Sequence, residues 1–187
     1  MHAAEQQISV YPMREEDAKE VLEIYDASIR LDDATCVTQL PSWQEWSRSH
    51  DACMRYVAKV SDRVVGFVAV SQVFCSPFYQ GVGEISVYVR KQYRKTGVGT
   101  ALLARLIQEV DSGELSQTGG FYMLQSRIFT NNESSIALHK KMGFRLVGKR
   151  EKILKKHGVW RDVYVYERRA RIDGEAERES TEIDSGR

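Results

Sequence analysis

The sequence predicts one α/β domain, and three observations lead there. Apolar segments of period 2 and period 3.6 alternate in the order β-α-α-β-β-β-α-β-α-β-β, no Gly/Ser-rich or Pro-rich stretch divides them, and no 20–50-residue repeat is visible. The composition is that of an ordinary globular protein: 187 residues, 42% hydrophobic and 28% charged. A chain of this length buries about 70% of the surface its unfolded form exposes, so it needs neither disulfides nor a structural metal to hold a core. With 27 basic and 26 acidic residues the formal net charge is +1, which argues against a generally basic nucleic-acid wrapper and an acidic solvating protein and makes any charge argument local.

Residues 8–13 read as a short strand. Residues 15–29 follow as a helix, with acids in the first turn and Val21, Leu22, Tyr25 and Ile29 at helical spacing. Residues 41–53 carry Trp43 and Trp46 on one or two helical turns, and the strands 55–60 and 64–73 flank Ser61-Asp62 as a hairpin. Residues 83–89 are β-branched and aromatic, whereas 97–110 place Val98, Leu102, Leu103, Leu106, Ile107 and Val110 on one helical side. A strand at 121–128 precedes a helix at 132–142 with Asn132 as cap and Gly143 as stop, and strands 144–152 and 159–167 close the sheet. The domain therefore spans 8–169, with 1–7 an N-terminal extension and 170–187 a polar, disordered tail that offers almost nothing to bury.

Cys36, Cys53 and Cys75 are odd in number and irregularly spaced, without a CxxC pair or a nearby His to complete a zinc pattern. They are expected to be small buried thiols in a reducing compartment. The N-terminus has no basic segment leading into an apolar one, and no apolar run approaches 18 residues, so the expectation is a cytoplasmic protein that does not span a membrane.

Between the strand ending at Val89 and the helix starting near Val98 lies Arg90-Lys91-Gln92-Tyr93-Arg94-Lys95-Thr96-Gly97-Val98-Gly99-Thr100. Glycines that let a ligand approach the backbone, unpaired N–H groups of a first helical turn and the positive end of the helix dipole make this an anion site suited to a diphosphate. Arg94 and Lys95 supply full charges and Thr100 a hydroxyl. A dinucleotide fingerprint is disfavoured, because Leu102 stands where the third glycine belongs and no early βαβ unit surrounds it. A Walker loop is disfavoured by the absence of Gly-Lys-Ser/Thr. A glycine loop with merely solvated basic residues is the default for a lone GxG, but the placement between a β-rich strand and an amphipathic helix speaks against it.

Arg94-x-x-Gly97-x-Gly99 resembles the pyrophosphate loop, Gln/Arg-x-x-Gly-x-Gly/Ala, of the GNAT superfamily of acetyl-CoA-dependent N-acetyltransferases. Asp32-Asp33-Ala34-Thr35, Trp43-Gln44-Glu45-Trp46, Glu84-Ile85-Ser86-Val87-Tyr88-Val89, Asn132-x-x-Ser135-x-x-Leu138-His139, Gly143-Phe144 and Lys156-x-Gly158-x-Trp160-x-Asp162 together resemble its phosphinothricin acetyltransferase-like branch, across roughly residues 8–169. The resemblance implies an α/β (α+β) fold with a mixed, mostly antiparallel sheet of six to seven strands, splayed at the cofactor strand and flanked by about four helices. It implies acetyl-CoA as co-substrate and a homodimer. The backbone of Val87, Tyr88 and Val89 would grip the pantetheine arm, residues Arg94, Lys95, Thr96, Gly97, Val98, Gly99 and Thr100 the pyrophosphate, and Asn132 and Ser135 the lower arm, with capping a coexisting role for Asn132.

An aliphatic amine has a pKa of about 10 and is mostly protonated at neutral pH, so the attack on a thioester needs a base. Glu84 is the candidate. Period-2 alternation puts it on one face with Ser86 and Tyr88, against an alternative in which it is an ordinary exposed strand-end carboxylate. His139 matches a family position and would assist proton movement or shape the pocket, or else be a simple hydrogen-bonded residue. A backbone N–H of the splayed strand, that of Val87, would stabilise the developing oxyanion. No metal is required, since His2, His50, His139 and His157 are scattered.

The acceptor side departs from the branch. Cys36-Val37-Thr38 replaces an aromatic-Arg-Thr sequence and 74–81 has no Arg, so a phosphinate-specific pocket is not expected. Arg30 or the Asp32-Asp33 pair would meet the charges of an amino-acid-like small molecule, and Phe74, Phe78 and Tyr79 would line an apolar wall or pack in the core. Two alternatives stand beside this reading: protein or peptide amines as acceptors, and a non-catalytic acyl-CoA or nucleic-acid binding module using the basic residues clustered at 90–95, 140–141 and 149–156. A pure binding module has no need of both Glu84 and an intact loop, and no nucleic acid or membrane partner is expected.

Overall fold

The computed structural model describes residues 7–31, 34–73, 77–112 and 120–171. Its seven strands are β1 (Ser9–Pro12), β2 (Arg55–Val60), β3 (Arg63–Gln72), β4 (Val82–Val89), β5 (Met123–Phe129), β6 (Arg145–Lys156) and β7 (Val159–Arg169). They form one sheet in the order β1-β2-β3-β4-β5-β7-β6, antiparallel throughout except where β4 meets β5 in parallel. Four helices flank it: α1 (Ala18–Ile29), α2 (Trp43–Arg48), α3 (Val98–Asp111) and α4 (Glu133–Lys141). The element order is the one the sequence pattern predicts.

The sheet is covered on both faces, which is why β3 is a nearly unbroken apolar run, buried from Val64 to Val70. On one face Leu102, Leu103 and Leu106 of α3 pack on Val68, Val70, Ile85, Leu124 and Ile128. On the other, Val21, Ile24 and Ile29 of α1 and Trp46 of α2 close on Val57, Phe67 and Ala69. Trp46 stacks on Trp43 at 5.1 Å and meets Phe67 edge-on at 5.7 Å, anchoring a six-residue helix started by the Ser42/Glu45 capping box. Both hairpins turn on two residues of positive φ, Ser61-Asp62 (48° and 62°) and His157-Gly158 (48° and 81°), whose twist matches that of the strands.

Three details differ from the sequence expectation. The helix expected from residue 15 opens as a 3-10 turn, Glu15–Asp17, because buried Asp17 accepts from the Arg14 N–H at 2.9 Å and pairs with Lys59 at 2.8 Å. β6 runs four residues past its expected end at 152. Its row of Lys, Arg and Glu shows no alternation, and the pairing is dictated by β7. The ladder breaks between Arg150 and Leu154, where Lys152 has φ 48°, and Asp162 bridges the break by accepting from the Lys152 N–H at 2.9 Å. The cysteines expected to be buried are not: Cys36 and Cys53 are exposed, Cys36 on the loop after α1 and Cys53 in a turn whose N–H donates to Asp51. Cys75 lies outside the described residues, as do most of the expected N-terminal extension and tail.

Candidate active site

β4 and β5 pair through only three positions, Val82↔Met123, Gly83↔Leu124 and Glu84↔Gln125. Beyond Glu84 they part, β4 continuing to Val89 and β5 to Phe129. The gap is a cavity of about 630 Å³ that runs from the 94–100 loop to the end of α1.

One half of the cavity is made of backbone. Gly97 is the N-cap of α3 at φ 96°, a left-handed conformation that costs glycine nothing. The first intrahelical bond is Ala101 N–H to Gly97 C=O at 2.9 Å, so helix geometry leaves the N–H groups of Val98, Gly99 and Thr100 without an intrahelical partner. A Cβ on Gly99 would stand 3.0 Å from Leu138 Cδ2, so glycine also lets α3 and α4 approach. Arg94 and Lys95 line the mouth, both exposed, with Arg94 Nε donating to Val89 C=O at 3.3 Å. Thr96 donates its hydroxyl to Tyr93 and Val98 is buried in the core, so neither side chain lines the cavity. Arg90 is held away from the loop's cations by Val64 C=O at 2.8 Å and Glu23 at 2.9 Å. Asn132 caps α4, its Oδ1 accepting from the Ser135 N–H at 3.1 Å, and both residues line the cavity. This set fits a diphosphate ester of coenzyme A type: an N–H cradle floored by glycines, two flexible cations, and a β4 edge with its ladder open.

His139, on α4, is 1% exposed and packs edge-on against Phe144 at 5.1 Å. Its Nδ1 lies 2.8 Å from Ser135 C=O, which fixes that nitrogen as the donor and leaves the lone pair on Nε2, a buried atom without a hydrogen-bond partner. Burial holds its pKa below the ordinary 6.5, with the Ser135 carbonyl pulling the other way.

The other half is made of side chains. Ile85, Val87 and Val89 pack toward α3, and Tyr88 toward α1 and α2, as alternation requires. Glu84 is 16% exposed, and its Oε1 meets Arg127 Nε of β5 at 2.6 Å. Burial raises the phenol pKa values of Tyr25 and Tyr88, although a hydrogen bond with Thr35 opposes the rise in each, so both stay protonated. Their rings lie 5.3 Å apart, and Cys36 lines the same wall. The loop bearing Thr35 is held by Lys156, whose buried Nζ donates to the carbonyls of Ile29 (3.3 Å), Leu31 (2.8 Å) and Thr35 (2.8 Å).

The structure does not bring the sequence-expected acceptor residues into this wall. Arg30 points to solvent, its side chain 76% exposed and paired with Asp26. Phe78 is 91% exposed and Tyr79 half exposed, both off the cavity. Phe74, Asp32 and Asp33 lie outside the described residues. In their place stand Tyr25, which the sequence reads as a core position of the first helix, Thr35, which it carries in the Asp32-Asp33-Ala34-Thr35 motif without an acceptor role, and Arg127, which it does not single out. Arg127 had one available signal, its period-2 phase with Gln125 opposite the buried Leu124 and Ile128. Among the described residues no group of three or more His, Cys, Asp or Glu is placed to hold a metal, and no helix is long and apolar enough to cross a membrane.

Residues 18–144 match the acetyltransferase (GNAT) family. The chain belongs to that family. It is an acyltransferase, and its glycine turn into α3 lies beside the strands β4 and β5 that part beyond Glu84. Over 170 residues it is 29% identical to a phosphinothricin N-acetyltransferase of Streptomyces coelicolor, covering 87% of this chain and 96% of that one. Over 85 residues, 46% of each chain, it is 34% identical to an L-methionine sulfoximine/L-methionine sulfone acetyltransferase of Pseudomonas aeruginosa. Among solved structures it is similar to a GNAT superfamily phosphinothricin acetyltransferase from Sinorhizobium meliloti in complex with AcCoA, with TM-score 0.78 and 26% identity over 94% of this chain and 95% of that one.

Proposed function

We propose that this protein transfers the acetyl group of acetyl-CoA to the primary amine of a small, amino-acid-like molecule. The observation that carries the reading is the single cavity that joins the anion-binding first turn of α3 to the carboxylate of Glu84 through the gap between β4 and β5. Acetyl-CoA supplies an acetyl group activated as a thioester, so that the C–N bond forms as the C–S bond breaks and coenzyme A leaves as a thiol. The N–H groups of Val98, Gly99 and Thr100, with Arg94 and Lys95, hold the diphosphate, and the open backbone edge from Val87 to Val89 pairs with the pantetheine arm. The Val87 N–H faces the charge that develops on the acyl oxygen. Glu84 takes the ammonium proton directly or through a water and passes it to solvent. His139, neutral near pH 7, offers its Nε2 lone pair to any donor that reaches it from the cavity.

A homodimer and a cytoplasmic setting belong to the same proposal. Leu146, Val147, Ile153, Val159 and Trp160, each about half exposed on the β6–β7 hairpin, support the first, and unpaired exposed thiols at Cys36 and Cys53 support the second.

The test is thiol release from acetyl-CoA against phosphinothricin, methionine sulfoximine, methionine sulfone, free amino acids, polyamines and peptides. Turnover with a small amino-acid-like amine is expected, and Glu84→Gln should lower kcat about 100- to 1,000-fold with acetyl-CoA affinity intact. Turnover only with peptides would move the acceptor class to proteins, and full activity of Glu84→Gln would remove its role as base.

A further inference from the structure

Resting on the acceptor class just proposed, we infer that Arg127 reads the carboxylate of an α-amino acid, which enters by inserting its two charges into the Glu84–Arg127 ion pair. The pair lines the acceptor half of the cavity, Glu84 on the face of β4 shared with Tyr88, and the Arg127 side chain is half exposed. In this resting arrangement the base is occupied: the Glu84 carboxylate already receives a charge-assisted hydrogen bond from Arg127 Nε at 2.6 Å.

A simple amine would add a second cation next to Arg127 and could reach Glu84 only by breaking the pair with nothing to replace it. An α-amino acid carries a carboxylate one carbon away from its ammonium. Its carboxylate takes the guanidinium and its ammonium takes Glu84, so one ion pair is exchanged for two. Arg127 has the donors for this, because a guanidinium presents five N–H groups in a fork matched to carboxylates and the contact to Glu84 is made through Nε. The exchange also delivers the amine to the base at the point where its proton must be removed. The hydroxyls of Tyr25, Thr35 and Tyr88 on this wall are neutral donors and acceptors suited to a polar side chain, and the one further arginine of the acceptor side, Arg150 on β6, is exposed and makes no ion pair with Glu84. The pair thus sets specificity for the whole zwitterion. A peptide N-terminus, which has no carboxylate on the same carbon, is excluded on the same ground.

The experiment compares kcat/KM for methionine with that for its decarboxylated amine in the wild type, Arg127→Met and Arg127→Lys, with calorimetry of acetyl-CoA binding to show that each variant is folded. The wild type should prefer the amino acid, and Arg127→Met should lose about 30- to 100-fold of that preference, mainly through KM for the amino acid, as expected for removing a hydrogen bond to a charged group. Arg127→Lys should recover part of it. An unchanged preference in Arg127→Met would overturn the inference. Equal wild-type activity on both acceptors would also overturn it while leaving the acetyltransferase reading in place, and acetyl-CoA binding without acetylation of any small amine would remove both.

Discussion

On the function proposed above, the two halves of the cavity recognise their ligands by different means. The cofactor half uses backbone: Gly97 at positive φ, the unpaired N–H groups of α3 and the open edge of β4, nearly all within fourteen consecutive residues. The acceptor half uses side chains from four separate places, Tyr25 on α1, Thr35 on the following loop, Glu84 on β4 and Arg127 on β5, and a fifth, Lys156, holds the loop in position. Backbone recognition is local and tolerates any side chain that leaves the amides open. Side-chain recognition depends on where the topology carries distant residues, so it can change acceptor while the cofactor site stays the same.

The largest effect should come from attacking the backbone half alone. Gly99→Glu puts a carboxylate among the N–H groups and a Cβ 3.0 Å from Leu138 Cδ2. Coenzyme A affinity should fall about 100-fold or more, since repulsion replaces charge-assisted hydrogen bonds. Gly99→Ala, which carries the same Cβ without the charge, should lose far less. Calorimetric titration with coenzyme A separates the two, and unchanged affinity in Gly99→Glu would detach the loop from cofactor binding.

The acceptor half should break at its latch with a smaller energy. Lys156→Met keeps the length of the side chain but leaves the carbonyls of Ile29, Leu31 and Thr35 without their donor. Burying unsatisfied groups costs about 1–3 kcal/mol, so Tm should drop by roughly 2–12 °C in a domain of this size. Coenzyme A affinity should hold while KM for the acceptor rises, because the wall bearing Thr35 and Cys36 loses its anchor. An intact Tm and KM would show that the loop is held by other contacts.

The same division explains what could be read from the sequence. Strand and helix order, the Asn132 cap, the Gly143 stop and the Ser61-Asp62 turn follow from local periodicity and turn chemistry, and the glycine turn of Arg94-x-x-Gly97-x-Gly99 into α3 is readable because its parts are contiguous. The place of Glu84 at the gap was legible because strand alternation and its position before the loop both point there. Arg127 was not, and Thr35 stood in a motif without a placed role, since nothing local says that β5 will lie parallel to β4 and splay, or that α1 will end beside it. Exposed Phe78 and Tyr79 show the reverse error, aromatic residues near the right strand that the chain turns outward. Lys156 was visible in a motif, but only the three-dimensional path of the loop reveals that its ammonium replaces a helix cap for the end of α1.

The smallest expected effect sharpens the comparison, because each half contains one histidine shielded from water, His139 fully and His50 in part. His139 belongs to the cofactor half. His50, stacked on Trp46 at 4.1 Å, lines the acceptor side. Both have a pKa below the ordinary 6.5, in each case chiefly because burial penalises the imidazolium, with a backbone carbonyl opposing it and Arg55 adding to it at His50. As pH falls below about 6.5 the unfolded chain takes up these protons before the native protein does. Stability is therefore complete above pH 6.5, declines as acid favours the unfolded state, and stops declining once the native histidines themselves protonate. The wild-type Tm should fall between pH 7.5 and 5.5, and His139→Gln and His50→Gln should each flatten that slope. If the halves unfold as one cooperative unit, the two variants remove separate shares that add; a slope unchanged in His139→Gln would mean that its ring takes up a proton in the native state as readily as in the unfolded one.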